Sequence, residues 1–328
     1  MIDAIRRRAG AARAASSSLR LGIGDDCAVL RPKAGHEICV TTDFTLEGVH
    51  FRRDWHPPQS VGHRCLARGL SDLAAMGAEP LAVFLSLAIP ARLPAGWVDR
   101  FLDGFLALAR EVRVPLAGGD TAQSRTLGRS QDGLILADVV AVGQVRRGKA
   151  VLRSGARPGD WIYVTGALGG SAAELAALGE NPRKFKRFTQ AAAGHPHLYP
   201  EPRNKLGLRL RGVAHAMIDT SDGLSTDLMH LCEESGVAAV IEQAALPVDA
   251  LAAVGRDPQG LALNGGEDYE LLFAARPGVR VPRRLAGVAI HRIGVVKRLG
   301  RNTPRISMKT LGGGQVPVLP GGWEHFPN

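Results

Sequence analysis

The stretch Met217-Ile-Asp-Thr-Ser-Asp-Gly-Leu-Ser-Thr-Asp-Leu228 constrains the fold most. It opens on small apolar residues that read as the end of a strand, then places Asp219, Ser221 and Asp222 in a tight turn. From Leu224 the apolar positions recur as Leu224, Leu228, Leu231 and Cys232, the helical period, and Gly236 is placed to stop the helix. The carboxylates therefore sit where a strand hands over to a helix N-terminus, and there backbone N–H groups and the helix dipole favour anions. Related turns recur at Gly24-Asp25-Asp26, Thr41-Thr42-Asp43, Ser71-Asp72, Gly118-Gly119-Asp120 and Gly265-Gly266-Glu267-Asp268. One Gly-Asp pair is ordinarily just a turn. So many in one chain point to a shared chemistry. Asp and Thr are hard oxygen ligands, suited to Mg2+ shared with substrate phosphates rather than to zinc.

A chain of 328 residues is long enough for two domains, each with its own core. The longest uncharged apolar run, Pro80 to Ala91, is too short to span a bilayer, so no membrane partner is expected. The N-terminus is rich in Arg, Ala and Ser but lacks an apolar stretch, which argues against a secretory signal; a ragged segment over 1–20 is preferred to a targeting sequence. Cys27, Cys39, Cys65 and Cys232 show no CxxC spacing and read as reduced, mostly buried thiols of a cytoplasmic protein. The formal charge of +10 raises nucleic acid as a partner. The basic residues are dispersed apart from Arg183-Lys184-Phe185-Lys186-Arg187, and no nucleic-acid module accompanies them, so that cluster reads as a solvated helix face and no nucleic acid is expected.

In chain order, strands are predicted at 37–43, 81–89, 114–121, 134–145, 161–165, 238–241 and 269–274. Helices are predicted from near Ser60 to near Gly77, over 97–112 and from Ala172, with an irregular stretch at 179–205. Asp72 then lies in the last turns of a helix, where a carboxylate is disfavoured and a bound cation compensates. Gly166-Ala-Leu-Gly-Gly has neither a P-loop ending nor a dinucleotide fingerprint. An anion contact and a plain strand-to-helix turn both remain open for it.

GIGDDCAVL, TTDFTLEGVHF, LSDLAAMGAEP, GGDT, RSGARPGDWIYVTG, IDTSDGLSTDL and LNGGEDYELLF occur in this order from 22 to 273. Together they resemble thiamine-monophosphate kinase, within a superfamily that also resembles aminoimidazole ribonucleotide synthetase, selenophosphate synthetase and a hydrogenase maturation protein. Cys27 follows its acidic pair rather than preceding it in a loop, which argues against selenophosphate synthetase.

The resemblance implies an α+β chain of two domains. Residues 1–148 are expected to form a mixed-sheet domain that binds ATP and Mg2+ and pairs in a homodimer, and residues 149–328 an α/β domain. It implies transfer of a phosphoryl group from ATP to thiamine monophosphate, the last step toward thiamine diphosphate. Carried over by position, Asp26, Thr41, Thr42, Asp43, Asp72, Asp120, Asp219 and Asp222 are the implied Mg2+ ligands. Gly119, Asp120, Arg153 and Ser221 are implied to contact ATP, and His50, Glu267 and Trp323 the thiamine substrate. Asp43, Asp120 and Arg153 are implied to carry the reaction. The resemblance assigns no firm role to Asp25 or Asp268.

Overall fold

The computed structural model describes residues 5–9, 18–125, 133–192 and 194–324. Of the ragged segment expected over 1–20, residues 1–4 and 10–17 lie outside the described residues. The chain divides into two compact units. One comprises Met1–Leu73, Ala78–Gly148 and Ala177–Tyr199, and the other Ala74–Gly77, Lys149–Ala176 and Pro200–Asn328.

In the first unit, β1 (Leu19–Leu21) and β2 (Val29–Leu30) pair across the turn that carries Asp25 and Asp26. Strands β3 (His36–Leu46), β4 (Glu79–Pro90), β5 (Leu116–Ser124) and β6 (Leu136–Arg146) form one sheet in the order β3-β6-β4-β5. Only β4 and β5 run parallel. A parallel neighbour requires a crossover, and the helix Trp97–Glu111 supplies it. The other long helix, Pro58–Ala75, ends near the predicted Gly77. Val83, Leu85, Val139 and Ala141 are buried on one sheet face, and a Cβ added to Gly69 in that helix would stand 3.1 Å from the Ala141 Cβ. The helix therefore covers this face.

The two long helices touch backbone to backbone. A Cβ at Gly104 would lie 1.8 Å from the Gln59 carbonyl oxygen, and one at Gly62 would lie 1.9 Å from that of Phe101. Phe101, Phe105, Leu66 and Leu70 are fully buried in this unit. The opposite face is open along β3, where Val40 is 65% and Phe44 61% exposed with Ile38 and Leu136 exposed beside them, while Leu19 and Leu30 cover Ala82 and Phe84 on β4.

Residues 177–199, expected from sequence to lie in the second domain, belong to the first unit. Leu178, Phe185, Leu198 and Tyr199 form a buried cluster with Trp55 packed against it. The basic cluster within this stretch is not a uniform solvated helix face. Phe185 is buried, and Lys186 donates from Nζ to the carbonyl oxygens of Arg53 (2.9 Å) and His56 (3.4 Å). Of the cysteines, Cys65 and Cys232 are buried thiols, whereas Cys27 is exposed.

The second unit holds β7 (Trp161–Thr165), β8 (Ala216–Asp219), β9 (Val237–Glu242), β10 (Leu271–Ala275), β11 (Arg284–Leu285), β12 (Val288–Arg298), β13 (Ile306–Lys309) and β14 (Gln315–Pro317). Its sheet runs β14-β13-β9-β12-β7-β10-β8, with β11 paired to β12. Alternation along β10 explains its unbroken apolar sequence. Leu272 and Ala274 join one buried cluster, and Leu271, Phe273 and Ala275 join another. A strand covered on both faces needs apolar residues at every position. The strand starts at Leu271 rather than the predicted Tyr269 because Glu267 (φ 64°) and Tyr269 (φ 51°) are left-handed.

The Gly166–Gly170 turn has its anion within the chain. Asp268 accepts from the backbone N–H of Gly169 (2.6 Å) and of Ser171 (3.1 Å), so its carboxylate fills the start of the helix Gly170–Glu180. Burial pushes this carboxyl up to about 7, against the two amide hydrogen bonds that hold it down. Next to it, Glu270 is buried; it accepts from Thr165 Oγ1 and pairs with Arg203 through both Nε and Nη2.

Two consequences are measurable. Gly104→Ala forces the helices apart at a backbone contact, and overpacking of this kind costs about 1–3 kcal/mol; a lowered urea midpoint at unchanged slope is the expected result. The folded state retains a proton on Asp268 that the unfolded chain releases near 3.8. Stability from this group is therefore greatest at low pH, falls as pH rises toward about 7, and is level above that. Asp268→Asn removes that part of the slope in unfolding midpoints compared across this range.

Candidate active site

In the first unit Thr41, Thr42 and Asp43 sit in the middle of β3, which runs on to Leu46 rather than ending at Asp43 as predicted, and Asp120 sits in the middle of β5; pairing sorts them by face. Asp43 lies in the cross-strand row Asp43, Val139, Leu85, Gly119, on the face covered by the helix Pro58–Ala75. Thr41 shares that face. Its hydroxyl donates to Asp72 in the last turn of the helix, and the Arg68 guanidinium lies 3.8 Å from Asp43. Asp120 lies in the row Phe44, Asp138, Ser86, Asp120 on the open face. Thr42 belongs to this face as well and donates to Asp138 at 2.6 Å. Period-two alternation forces the division: Thr41 and Asp43 cannot share a face with Thr42. Asp138 was not singled out from sequence, although an acidic residue inside a strand of branched apolar residues was the available signal.

Gly119 has φ 149°, and a Cβ there would stand 1.9 Å from the Leu85 carbonyl oxygen. Only glycine lets β5 lie this close to β4 immediately before Asp120. The Asp120 carboxylate accepts from the Thr121 N–H at 2.7 Å, and Asp26 lies exposed after the N–H···Oδ1 contact it makes to Asp25.

His50 follows β3 in a loop braced by Glu47, which accepts from Arg53 Nε and from the Ile135 N–H at 2.9 Å. The Leu46 N–H donates to His50 Nδ1 at 3.0 Å. A neutral imidazole accepting at Nδ1 carries its proton at Nε2, so His50 presents a donor there.

The second unit holds the Asp219 to Gly223 turn. Asp219 ends β8, buried beside Leu271, and the helix Leu224–Ser235 begins after Gly223, ending at Gly236 as predicted. Asp227, buried in the first turn, accepts from the N–H of Asp222 (3.2 Å) and Gly223 (3.0 Å) through Oδ2. Burial, and next the carboxylates of Asp219 and Asp222, raise its carboxyl well above the usual range. This third acid was missed because Asp at a helix first turn reads as dipole complementation alone.

Ser221 offers its carbonyl oxygen to the Glu267 N–H at 2.8 Å, which ties the GGED segment to the turn. The Tyr269 hydroxyl reaches Glu267 Oε1 at 3.5 Å. Trp323 is tied to the same turn: its backbone N–H donates to the Asp222 carbonyl oxygen at 3.0 Å, and the residue is 52% exposed. Arg153 is exposed and gives its carbonyl oxygen to Ser235 Oγ at 2.9 Å.

Among the described residues, no three or more His, Cys, Asp or Glu side chains come close enough to hold a metal ion. The donors instead occur as small groups of hard oxygens: Thr41 with Asp72, and Asp219 with Asp222. Such groups fit Mg2+, which binds through one or two carboxylates and keeps water and substrate phosphate as its other ligands.

A family model described as AIR synthase related protein, N-terminal domain, matches residues 24–145. The thiamine-monophosphate kinase of Salmonella typhimurium is 40% identical over 290 residues, which is 86% of this chain and 84% of the relative. The crystal structure of thiamine-monophosphate kinase from Stenotrophomonas maltophilia K279a aligns with TM-score 0.78 at 36% identity, covering 92% of this chain and 94% of that one. AaThiL complexed with AMPPCP and TMP aligns with TM-score 0.76 at 30% identity, covering 90% and 89%. The chain belongs to the thiamine-monophosphate kinase family.

Proposed function

We propose that the protein transfers the γ-phosphoryl group of ATP to the phosphate of thiamine monophosphate, releasing thiamine diphosphate and ADP. One observation carries the reading: a solved relative aligned over 90% of this chain holds an ATP analogue together with TMP. The attacking atom is an oxygen of a phosphate that is already ionised near neutral pH. A strong general base is therefore unnecessary, and positioning with charge neutralisation supplies the rate. The new bond joins that oxygen to the γ-phosphorus as the bond to the β-phosphate oxygen breaks.

The residue roles of this reading are those the family resemblance implies. Asp26, Thr41, Thr42, Asp43, Asp72, Asp120, Asp219 and Asp222 are the Mg2+ ligands of this reading. Bound there, Mg2+ neutralises charge on the phosphate oxygens. Gly119, Asp120, Ser221 and Arg153 contact ATP, and the permanent charge of Arg153 suits a phosphate partner. His50 donates from Nε2 to the substrate. Glu267 pairs with the cationic thiamine, and Trp323 offers it a ring face. Residues 1–148 carry the ATP, Mg2+ and dimer functions, and 149–328 the α/β domain.

The open face of the β3-β6-β4-β5 sheet supports a homodimer. Ile38, Val40, Phe44 and Leu136 expose apolar side chains along it, and contiguous exposed apolar residues mark association surfaces. The absence of any helix long and apolar enough to cross a membrane among the described residues is compatible with a cytoplasmic location.

The reading is tested by a coupled assay scoring thiamine diphosphate and ADP, with EDTA and unphosphorylated thiamine as controls. Asp43→Ala and Asp120→Ala are each expected to lower kcat by about a hundredfold or more while melting curves stay cooperative; a folded variant with ordinary turnover would remove these residues from the ligand set. Introducing charge at Phe44→Asp is expected to shift the sedimentation coefficient from dimer to monomer. An unchanged dimer would put the interface elsewhere.

A further inference from the structure

The segment Gly321-Gly322-Trp323 is held by three successive backbone N–H groups. Gly321 donates to Ser225 Oγ (3.1 Å), Gly322 to Thr226 Oγ1 (3.2 Å) and Trp323 to the Asp222 carbonyl oxygen (3.0 Å). The acceptors all belong to the Asp222 turn or to the first turn of the helix that follows it. Ser225 is itself fixed, because its hydroxyl donates to Asn264 Oδ1 at 2.7 Å. The contact is close: a Cβ added to Gly322 would stand 2.1 Å from the Asp222 carbonyl oxygen and 2.7 Å from Thr226 Oγ1.

Ser and Thr at these two positions have no cap role that explains them. The helix N-cap is Gly223, which makes no side-chain cap hydrogen bond, and the N–H groups of Asp222 and Gly223 go to Asp227. Both hydroxyls point instead to the chain's C-terminal segment. The result is a short strap of backbone, bent at Gly322, tied to the turn. It ends in an indole ring that is exposed although its backbone is tied down. A half-exposed ring with a fixed main chain loses little freedom when a flat ligand stacks on it, so preorganisation favours binding.

We propose that Ser225 and Thr226 are positioning residues for thiamine monophosphate binding: their hydroxyls dock the Gly321–Trp323 strap so that the Trp323 ring is held beside the Asp222 turn. The proposal rests on the reading that Trp323 contacts the thiamine substrate. Asp222 thereby has its N–H held by Asp227 and its C=O by Trp323, so strap and turn keep a common register. The strap itself carries Trp323, the thiamine contact of this reading, whereas the ATP contacts Ser221 and Arg153 lie outside it. Its loss is expected in the Michaelis constant for thiamine monophosphate and not in that for ATP.

The test is steady-state kinetics of the full chain with both substrates varied, for Thr226→Val, Thr226→Ser, Gly322→Ala, Trp323→Ala and the Thr226→Val/Trp323→Ala pair. Loss of one hydrogen bond corresponds to about threefold to tenfold. Thr226→Val and Gly322→Ala should each raise KM for thiamine monophosphate by that factor, with KM for ATP and kcat nearly unchanged, and Thr226→Ser should restore it. In the paired variant the Thr226 change should add nothing to the Trp323→Ala effect. A raised KM in Trp323→Ala with wild-type KM in both Thr226→Val and Gly322→Ala would overturn the positioning role alone. Wild-type KM in Trp323→Ala would overturn the substrate contact on which it stands. Equal damage to both substrates' constants would reduce the strap to general stability and also overturn the proposal.

Discussion

Buried backbone N–H groups must find acceptors, and in the second unit two aspartates provide them where strands become helices. Asp227 closes the turn after β8, and Asp268 closes the Gly166–Gly170 turn after β7. Without such acceptors each turn would bury orphan donors at a cost of about 1–3 kcal/mol apiece. Because the anion is supplied from within, the turns keep their shape before any ligand arrives. The side chains of Asp219, Asp222 and Glu267 are thereby placed by atoms that belong to other residues. This is preorganisation in the sense that electrostatic catalysis requires.

The same economy carries a tension. Asp227 is buried in the turn beside Asp219 and Asp222, and burial first, then those carboxylates, raises its carboxyl. Like charges gathered in a partly dry turn are unfavourable in isolation. The Arg203–Glu270 pair resolves a similar problem differently: Glu270, buried below the GGED segment, has its own guanidinium, and that cation raises no demand for a metal. Two acids two positions apart in one sequence motif thus serve different ends: Glu270 makes a structural ion pair and Asp268 a cap.

Much of this was legible in the sequence because it depends on local pattern. The Leu224 to Cys232 period marked a helix and the family motifs ran in order along the chain, but glycine or hydroxyl beside acid marked a turn only in part: Thr41–Asp43 and Gly118–Asp120 lie within strands and Ser71–Asp72 within a helix. What stayed hidden depends on contacts distant in sequence. Asp268 meets Gly169 and Ser171 from about a hundred positions away, so the Gly166–Gly170 turn could not be told from a phosphate loop. Asp138 pairs with Thr42 across β3 and β6, and Lys186 turns back to Arg53 and His56. Strand alternation was the one rule that could have divided Thr41 from Thr42 beforehand. Adjacent threonines before an aspartate read as one ligand cluster until the pleat is imposed on them.

That division suits the chemistry. Two phosphorylated substrates bring several negative charges, spread over the whole length of a triphosphate and an acceptor phosphate. A single deep cage of carboxylates would neutralise one point of that length and would bind a cation too well to share it. Small groups of hard oxygens leave coordination positions for phosphate and water. In phosphoryl transfer the protein has little covalent work to do, and charge must be matched where it moves. Under the proposed ligand reading, mid-strand positions such as Asp43 and Asp120 and braced turns such as Asp219–Gly223 each offer one or two oxygens in this way. Gly119, next to Asp120, lets β5 close on the Leu85 carbonyl oxygen of β4.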